Sequence, residues 1–258
     1  MMPTSLEGVL RACRDRGDRA FVPYVTGGHP GVDAALLRGL ERTGADAVEV
    51  GIPFSDPVMD GDVIQEAARI ALEHGTRPVD VLETIADAEL GVPVVVMTYA
   101  NPVYRRGFDR FVADLASAGV AGLIVPDLPV DEAEGLTAVA ETHGVANILL
   151  AAPGTAPERL ARIGRESHGF VYCVATYGVT GSRDELAATA KQVVAALRPI
   201  TDRPLLVGVG IGTPAQAAEV CGFADGVIVG SALMARVLDG DARGVLSLAT
   251  AFRASTGT

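Results

Sequence analysis

Long apolar runs are missing from this chain of 258 residues: hydrophobic residues make up 49% of it, but in strings of about five, where a membrane-spanning helix needs ~20. A helical membrane protein is therefore excluded and a soluble one is expected. Positive charge is also scarce. Lys and Arg number 21 against 32 Asp and Glu, and a net charge of −11 opposes nucleic acid or an anionic membrane as a general partner. Any phosphate group must then be held locally. Cysteine is limited to Cys13, Cys173 and Cys221, far apart and each in an apolar segment, which predicts reduced packing thiols. Three of the four histidines precede glycine (His74-Gly75, His143-Gly144, His168-Gly169) at the ends of helical patterns, where a C-terminal cap accounts for them. Acidic residues form no ligand-spaced cluster either, so no metal is expected. The first 20 residues lack a basic start followed by an apolar run, and Leu6, Val9, Leu10 and Cys13 instead fall at helical spacing. An extra N-terminal helix and a cytoplasmic location are the expectation.

The apolar strings that do occur are FVPYV (21–25), DAVEV (46–50), PVVVM (93–97), GLIVP (122–126), NILLA (147–151), FVYCV (170–174), PLLVGV (204–209) and GVIVG (226–230). Their near-continuous hydrophobicity suits parallel strands covered on both faces. Helical patterns lie between them, the clearest being Phe108, Phe111, Val112 and Leu115, stopped by Gly119. Thr155-Ala156-Pro157-Glu158 resembles a capping box, and Thr213-Pro214 pairs an N-cap with proline at the first helical position. The second unit is the longest, holding a loop, a helix and a further helical segment near Pro78–Glu89. Eight strand–helix units with no break in composition predict one domain over residues 1–258, an eight-stranded parallel β/α barrel whose functional face is built by the loops after the strands. A doubly wound open sheet is the alternative, and the lack of a G-x-G-x-x-G after the first strand counts against it.

One stretch puts charge where a buried strand should have none. In GADAVEVGIPFSDPVMDG (44–61), Val48 and Val50 share one face of a strand and Glu49 points from the other. A punctuated loop then carries Asp60. A salt-bridged strand end and a helix N-cap would explain the two acids structurally. In a barrel, however, both face one cavity, and an apolar cavity makes an acid harder to ionise, which suits a group that gives and takes protons. Tyr172, on a strand face with Phe170 and Val174, either joins them or is a core aromatic. Glycine forms a second constellation after the late strands: GVTG (178–181), GVGIG (208–212) and Gly230-Ser231. Backbone N–H groups in such loops and at a helix start bind phosphate without Lys or Arg.

GADAVEVGIPFSDPxxDG, with FVPYVTGGHP, MTYANPV, IVPDLP, GVTG, GVGI and VGSA in this order, resembles the tryptophan synthase alpha subunit over about Phe21–Met234. The resemblance implies a barrel that cleaves indole-3-glycerol phosphate to indole and glyceraldehyde 3-phosphate without a cofactor, in partnership with a beta subunit in an α2β2 assembly. It implies that Glu49 is the acid–base, that Asp60 accepts from the indole N–H, and that Tyr172 is an active-site tyrosine. Gly181, Gly210, Gly230 and Ser231 match phosphate-binding positions, and Phe21, Tyr99, Ile124 and Leu150 match positions lining the indole pocket. Asp56 and Pro57 match the side that docks the partner.

One departure stands out. Where the family reads Ser-Arg ahead of its GVTG loop, this chain has Ala175-Thr176. That puts closure and coupling to the partner in question more than chemistry; Thr180 is the residue on which closure could rely instead. Two other functions stay open: a phosphosugar isomerase or epimerase on the same barrel, and an alpha-like homologue that is non-catalytic or serves a specialised indole pathway. The first leaves the apolar pocket and the DPxxDG loop unexplained, and a non-catalytic homologue leaves the intact Glu49, Asp60 and Tyr172 unexplained.

Overall fold

Seven of the eight apolar strings form one strand each and the other forms two in the computed structural model, which describes residues 5–175 and 183–257. The strands are β1 (Ala20–Thr26), β2 (Val48–Gly51), β3 (Val94–Met97), β4 (Val120–Ile124), β5 (Ala146–Ile148), β6 (Leu150–Ala151), β7 (Val171–Val174), β8 (Leu205–Gly208) and β9 (Gly226–Val229). All neighbours pair in parallel, in the order β5-β4-β3-β2-β1-β9-β8-β7-β6. The string predicted as one strand over 147–151 is thus two short ones. Its first half pairs with β4 and its second with β7, so the break at Leu149 is where the barrel closes. The Leu149 N–H leaves the ladder to donate to Ser167 Oγ at 3.0 Å, while its carbonyl accepts from the Tyr172 N–H.

Helices α1 (Leu6–Asp15), α2 (Ala34–Arg42), α3 (Asp62–Glu73), α4 (Pro78–Ala88), α5 (Ala100–Arg106) and α6 (Phe108–Ser117) occupy the first half. The second half carries α7 (Glu134–Thr142), α8 (Pro157–Glu166), α9 (Arg183–Leu197), α10 (Pro214–Cys221), α11 (Ser231–Leu238) and α12 (Ala242–Thr256). The extra helix α1 starts at the Ser5 cap and buries Leu6, Leu10 and Cys13. Leu6 packs against Gly122 of β4 and Gly169 just before β7, which plugs the barrel at the end opposite the strand-end loops. Helix α6 buries Phe111, Val112 and Leu115, the stripe its spacing predicts.

Two caps behave differently. Thr213 and Gln216 form the expected reciprocal box at the start of α10. At α8 the N-cap is Ala156, and the Thr155 hydroxyl donates to the Ala152 carbonyl at 2.7 Å, so the anticipated box is absent; proline at the first helical position presets the turn without it. His74 and His143 end α3 and α7, with Gly75 and Gly144 in the left-handed conformation after them, as expected. The three cysteines are buried and unpaired, and burial holds their thiols well above the ordinary range, which makes them inert packing groups. Among the described residues, no helix is long and apolar enough to cross a membrane.

Candidate active site

The strand-end loops surround a cavity of about 620 Å³ that contains both candidate acids. Glu49 enters it from β2 because side chains alternate along a strand. Val48 and Val50 turn the other way and stay in the core, leaving Glu49 between Tyr24 of β1 and Val95 of β3. Only 1% of Glu49 is exposed, and among the described residues no cation faces it and its Oε2 has no hydrogen-bond partner. Burial, reinforced by the nearby Asp60 charge, pushes its pKa up to about 8. A salt-bridged strand end would have been held low instead.

Asp60 is not a helix cap; Gly61 starts α3 with no side-chain bond. Instead, Asp60 Oδ2 accepts from the Tyr99 hydroxyl at 3.1 Å, and that hydroxyl accepts from the Met59 N–H at 3.0 Å. Gln65 Nε2 fixes the Asp60 carbonyl at 2.8 Å. Burial raises the Asp60 pKa to about 6, opposed by the Tyr99 hydrogen bond. Asp60 therefore ionises first, and its charge helps keep Glu49 protonated at neutral pH. Two acids with separated titrations in one apolar site can divide the roles of anion and proton donor.

Tyr172 lines the same cavity from β7, its hydroxyl lying over Gly208, where a Cβ would stand 2.1 Å from the oxygen. Only glycine allows that approach. Ile124 and Leu150 line the cavity as anticipated, joined by Met97, Val174 and Ile228. Tyr99 stands behind Asp60, stacked on Phe54 at 5.1 Å between ring centroids, and positions the acid without lining the cavity. Phe21 is elsewhere. It is fully buried and stacks on Phe252 of α12 at 6.3 Å, while Arg253 and the Phe21 N–H share Asp46 beside it. Strand parity explains the correction: on β1 it is Tyr24, three residues on, that faces the cavity.

The phosphate candidates converge on the other side. Gly210, Gly230 and Ser231 all line the cavity, with Ser231 opening α11. Among the described residues, the N–H groups of Gly210 and Ile211, and those of Ser231 and Ala232 at the start of α11, have no hydrogen-bond partner. Among the described residues, no Lys or Arg lines the cavity, and its charged groups are Glu49, Asp60 and Asp62. From the described residues, a phosphate there can draw on backbone donors and the Ser231 hydroxyl, helped by Glu49 staying neutral. Val209 adds strain, since it is a β-branched residue at φ 70°, 41% exposed, at the head of this loop. Thr180, Gly181 and Thr176 lie outside the described residues, and Ala175 is buried at the end of β7.

Asp56 is exposed and accepts from the Ser55 hydroxyl at 2.5 Å. Pro57 next to it lines a second depression of about 570 Å³ between this loop and α3. Val58 follows, 78% exposed. Sequence reasoning missed Tyr24, Met97 and Gln65. Tyr24 could have been found by applying to β1 the alternation that was applied to β2.

The tryptophan synthase alpha chain family matches residues 10–253. A tryptophan synthase alpha chain of Microcystis aeruginosa is 44% identical over 92% of this chain and 91% of its own length, and that of Streptomyces coelicolor is 47% identical over 91% and 88%. A structure of Mycobacterium tuberculosis tryptophan synthase superposes with a TM-score of 0.90 at 40% identity, covering 98% of both chains. The alpha subunit of Legionella pneumophila does so at 0.87 and 34%, covering 97% of both. These likenesses do not favour an isomerase or epimerase. With most of its length matched at these identities, the chain belongs to the tryptophan synthase alpha chain family, as a carbon–carbon lyase that cleaves indole-3-glycerol phosphate to indole and glyceraldehyde 3-phosphate.

Proposed function

We propose that Glu49 is the acid–base of this cleavage and Asp60 the carboxylate that accepts from the indole N–H. The observation that carries the proposal is Glu49 itself: a fully buried carboxyl whose Oε2 has no partner among the described residues, in one cavity with the unpaired N–H groups of Gly210 and Ile211. With Asp60 ionised and Glu49 protonated, the Glu49 proton goes to the ring carbon that bears the side chain, while Asp60 stabilises the positive charge spreading to the ring nitrogen. The Glu49 carboxylate then takes the proton from the hydroxyl on the attached carbon. That oxygen becomes the aldehyde as the carbon–carbon bond breaks, its electron pair restores the aromatic ring, and Glu49 ends protonated as it began. Ile124, Leu150 and Met97 supply the apolar ring pocket, and Tyr172 packs beside it. Gly210, Gly230 and Ser231 hold the phosphate, with Thr180 and Gly181 assigned to the same end by family likeness.

Release of indole from indole-3-glycerol phosphate by wild type and by Glu49→Gln tests the assignment. Near-normal release by the variant would sink it. The partner is a tryptophan synthase beta subunit in an α2β2 assembly, docking on the face that carries Asp56, Pro57 and the exposed Val58. The setting is cytoplasmic. Because Ala175-Thr176 replaces the family's Ser-Arg, binding of that partner stimulates cleavage less than is usual in the family; coupling is a differential free energy, so a complex can form with little rate change.

A further inference from the structure

Tyr24 enters the cavity from β1, the strand that lies between β2, which carries Glu49, and β9, which leads to Gly230. Tyr24 is the direct cross-strand partner of Glu49. A Cβ on Gly51, the last residue of β2, would stand 2.1 Å from the Tyr24 hydroxyl oxygen, and a Cβ on Gly230 would stand 3.0 Å from Cδ1 of the ring. The ring therefore bridges the acid and the phosphate end, with its hydroxyl on the acid side. Among the described residues, its hydroxyl's hydrogen-bond contact is Thr26 Oγ1 at 3.4 Å, too long to occupy it fully. Burial, with the acids nearby, raises the phenol's pKa well above its ordinary value, so it remains a neutral O–H that can both donate and accept.

The substrate's side chain has three carbons: one bonded to the ring and bearing the hydroxyl that reacts, a middle one with a second hydroxyl, and one esterified to phosphate. If Glu49 serves the first and Gly210, Gly230 and Ser231 hold the last, as the reading above has it, the middle carbon must cross the span that Tyr24 covers. Among the described residues, Tyr24 is the one member of β1 that lines the cavity. We propose that the Tyr24 hydroxyl hydrogen-bonds the middle hydroxyl of the substrate's side chain, making Tyr24 a specificity-determining residue that favours the dihydroxylated chain over a deoxygenated one. This hydroxyl takes no part in bond breaking, so the contact acts on binding.

The test is Tyr24→Phe, which removes one oxygen and keeps the ring. The KM for indole-3-glycerol phosphate should rise roughly 5-fold, as for loss of one neutral hydrogen bond, with kcat little changed. Indole-3-propanol phosphate, which has the same ring and phosphate but neither side-chain hydroxyl, should bind wild type and variant alike, which also reports an intact fold. Equal weakening of substrate and analogue would overturn the proposal, because Tyr24 would then only shape the pocket. An unchanged KM would overturn it as well. Glu49→Gln separates the two levels: normal turnover by that variant brings down the site reading and this contact with it, whereas an inactive Glu49→Gln beside an unaffected Tyr24→Phe refutes the hydroxyl contact alone.

Discussion

Replacing Glu49 by Gln should abolish cleavage and, at neutral and higher pH, strengthen the fold. In the folded protein the carboxyl keeps its proton up to about pH 8, whereas its ordinary pKa, taken for the unfolded chain, is 4.5. Between those values the folded state binds more protons than the unfolded one, so stability falls as pH rises. The protonated-state advantage is fully present below pH 4.5 and is lost as pH passes through about 8. At about 1.4 kcal/mol per pH unit, the loss is on the order of 3 kcal/mol at pH 7 and 4 to 5 kcal/mol above pH 9. Gln has the same shape and no proton to lose, so the variant should escape this penalty. Relative to wild type, its advantage should grow from pH 5 to pH 9, by roughly 2–4 °C in melting temperature per kcal/mol for a domain of this size. Thermal unfolding of both proteins at pH 5, 7 and 9 measures this, beside an indole-release assay in which activity falls by at least ~100-fold. Parallel curves of melting temperature against pH would refute the burial argument, and a stabilised but active variant would refute the catalytic one.

The dependence of kcat/KM on pH should be bell-shaped, rising near pH 6 as Asp60 ionises and falling near pH 8 as Glu49 does. Tyr99→Phe removes the hydrogen bond that holds Asp60 down, so its rising limb should move to higher pH while the falling limb stays. Val209→Gly should relieve a left-handed β-branched residue and stabilise the free protein by about 1–2 kcal/mol, read from urea unfolding; no gain would mean that the loop is unstrained. Gly230→Val sets a side chain against the Tyr24 ring at the phosphate end, and calorimetry should show weaker binding of inorganic phosphate and substrate together. Ala175→Ser with Thr176→Arg should increase the stimulation of cleavage by an added beta subunit, and an unchanged response across a titration would make the replacement neutral.

How much was legible follows from which physical signal each residue carries. Glu49 and Asp60 were visible because a carboxylate in a buried strand and another at the end of a glycine- and proline-punctuated loop are costly unless used, and the parity of DAVEV fixed the direction in which Glu49 points. The parallel barrel was visible for a related reason: strands covered on both faces lose alternation and read as continuous apolar strings. The same loss of alternation hid the inner face of β1. In AFVPYVT every residue is buried, so hydropathy does not distinguish a ring turned towards α12 from one turned into the cavity. Phe21 enters the pocket only as a match implied by the resemblance, whereas the parity of Tyr24, locked opposite Glu49 by the ladder, is what places an aromatic there. The break at Leu149 was illegible for a different reason: it arises from closing the barrel onto two neighbours and from a hydroxyl eighteen residues away, neither of which leaves a mark in the string NILLA. Local sequence thus marks the charges that chemistry needs, while the apolar and aromatic walls that select the substrate are fixed by strand register, a property of pairs of strands.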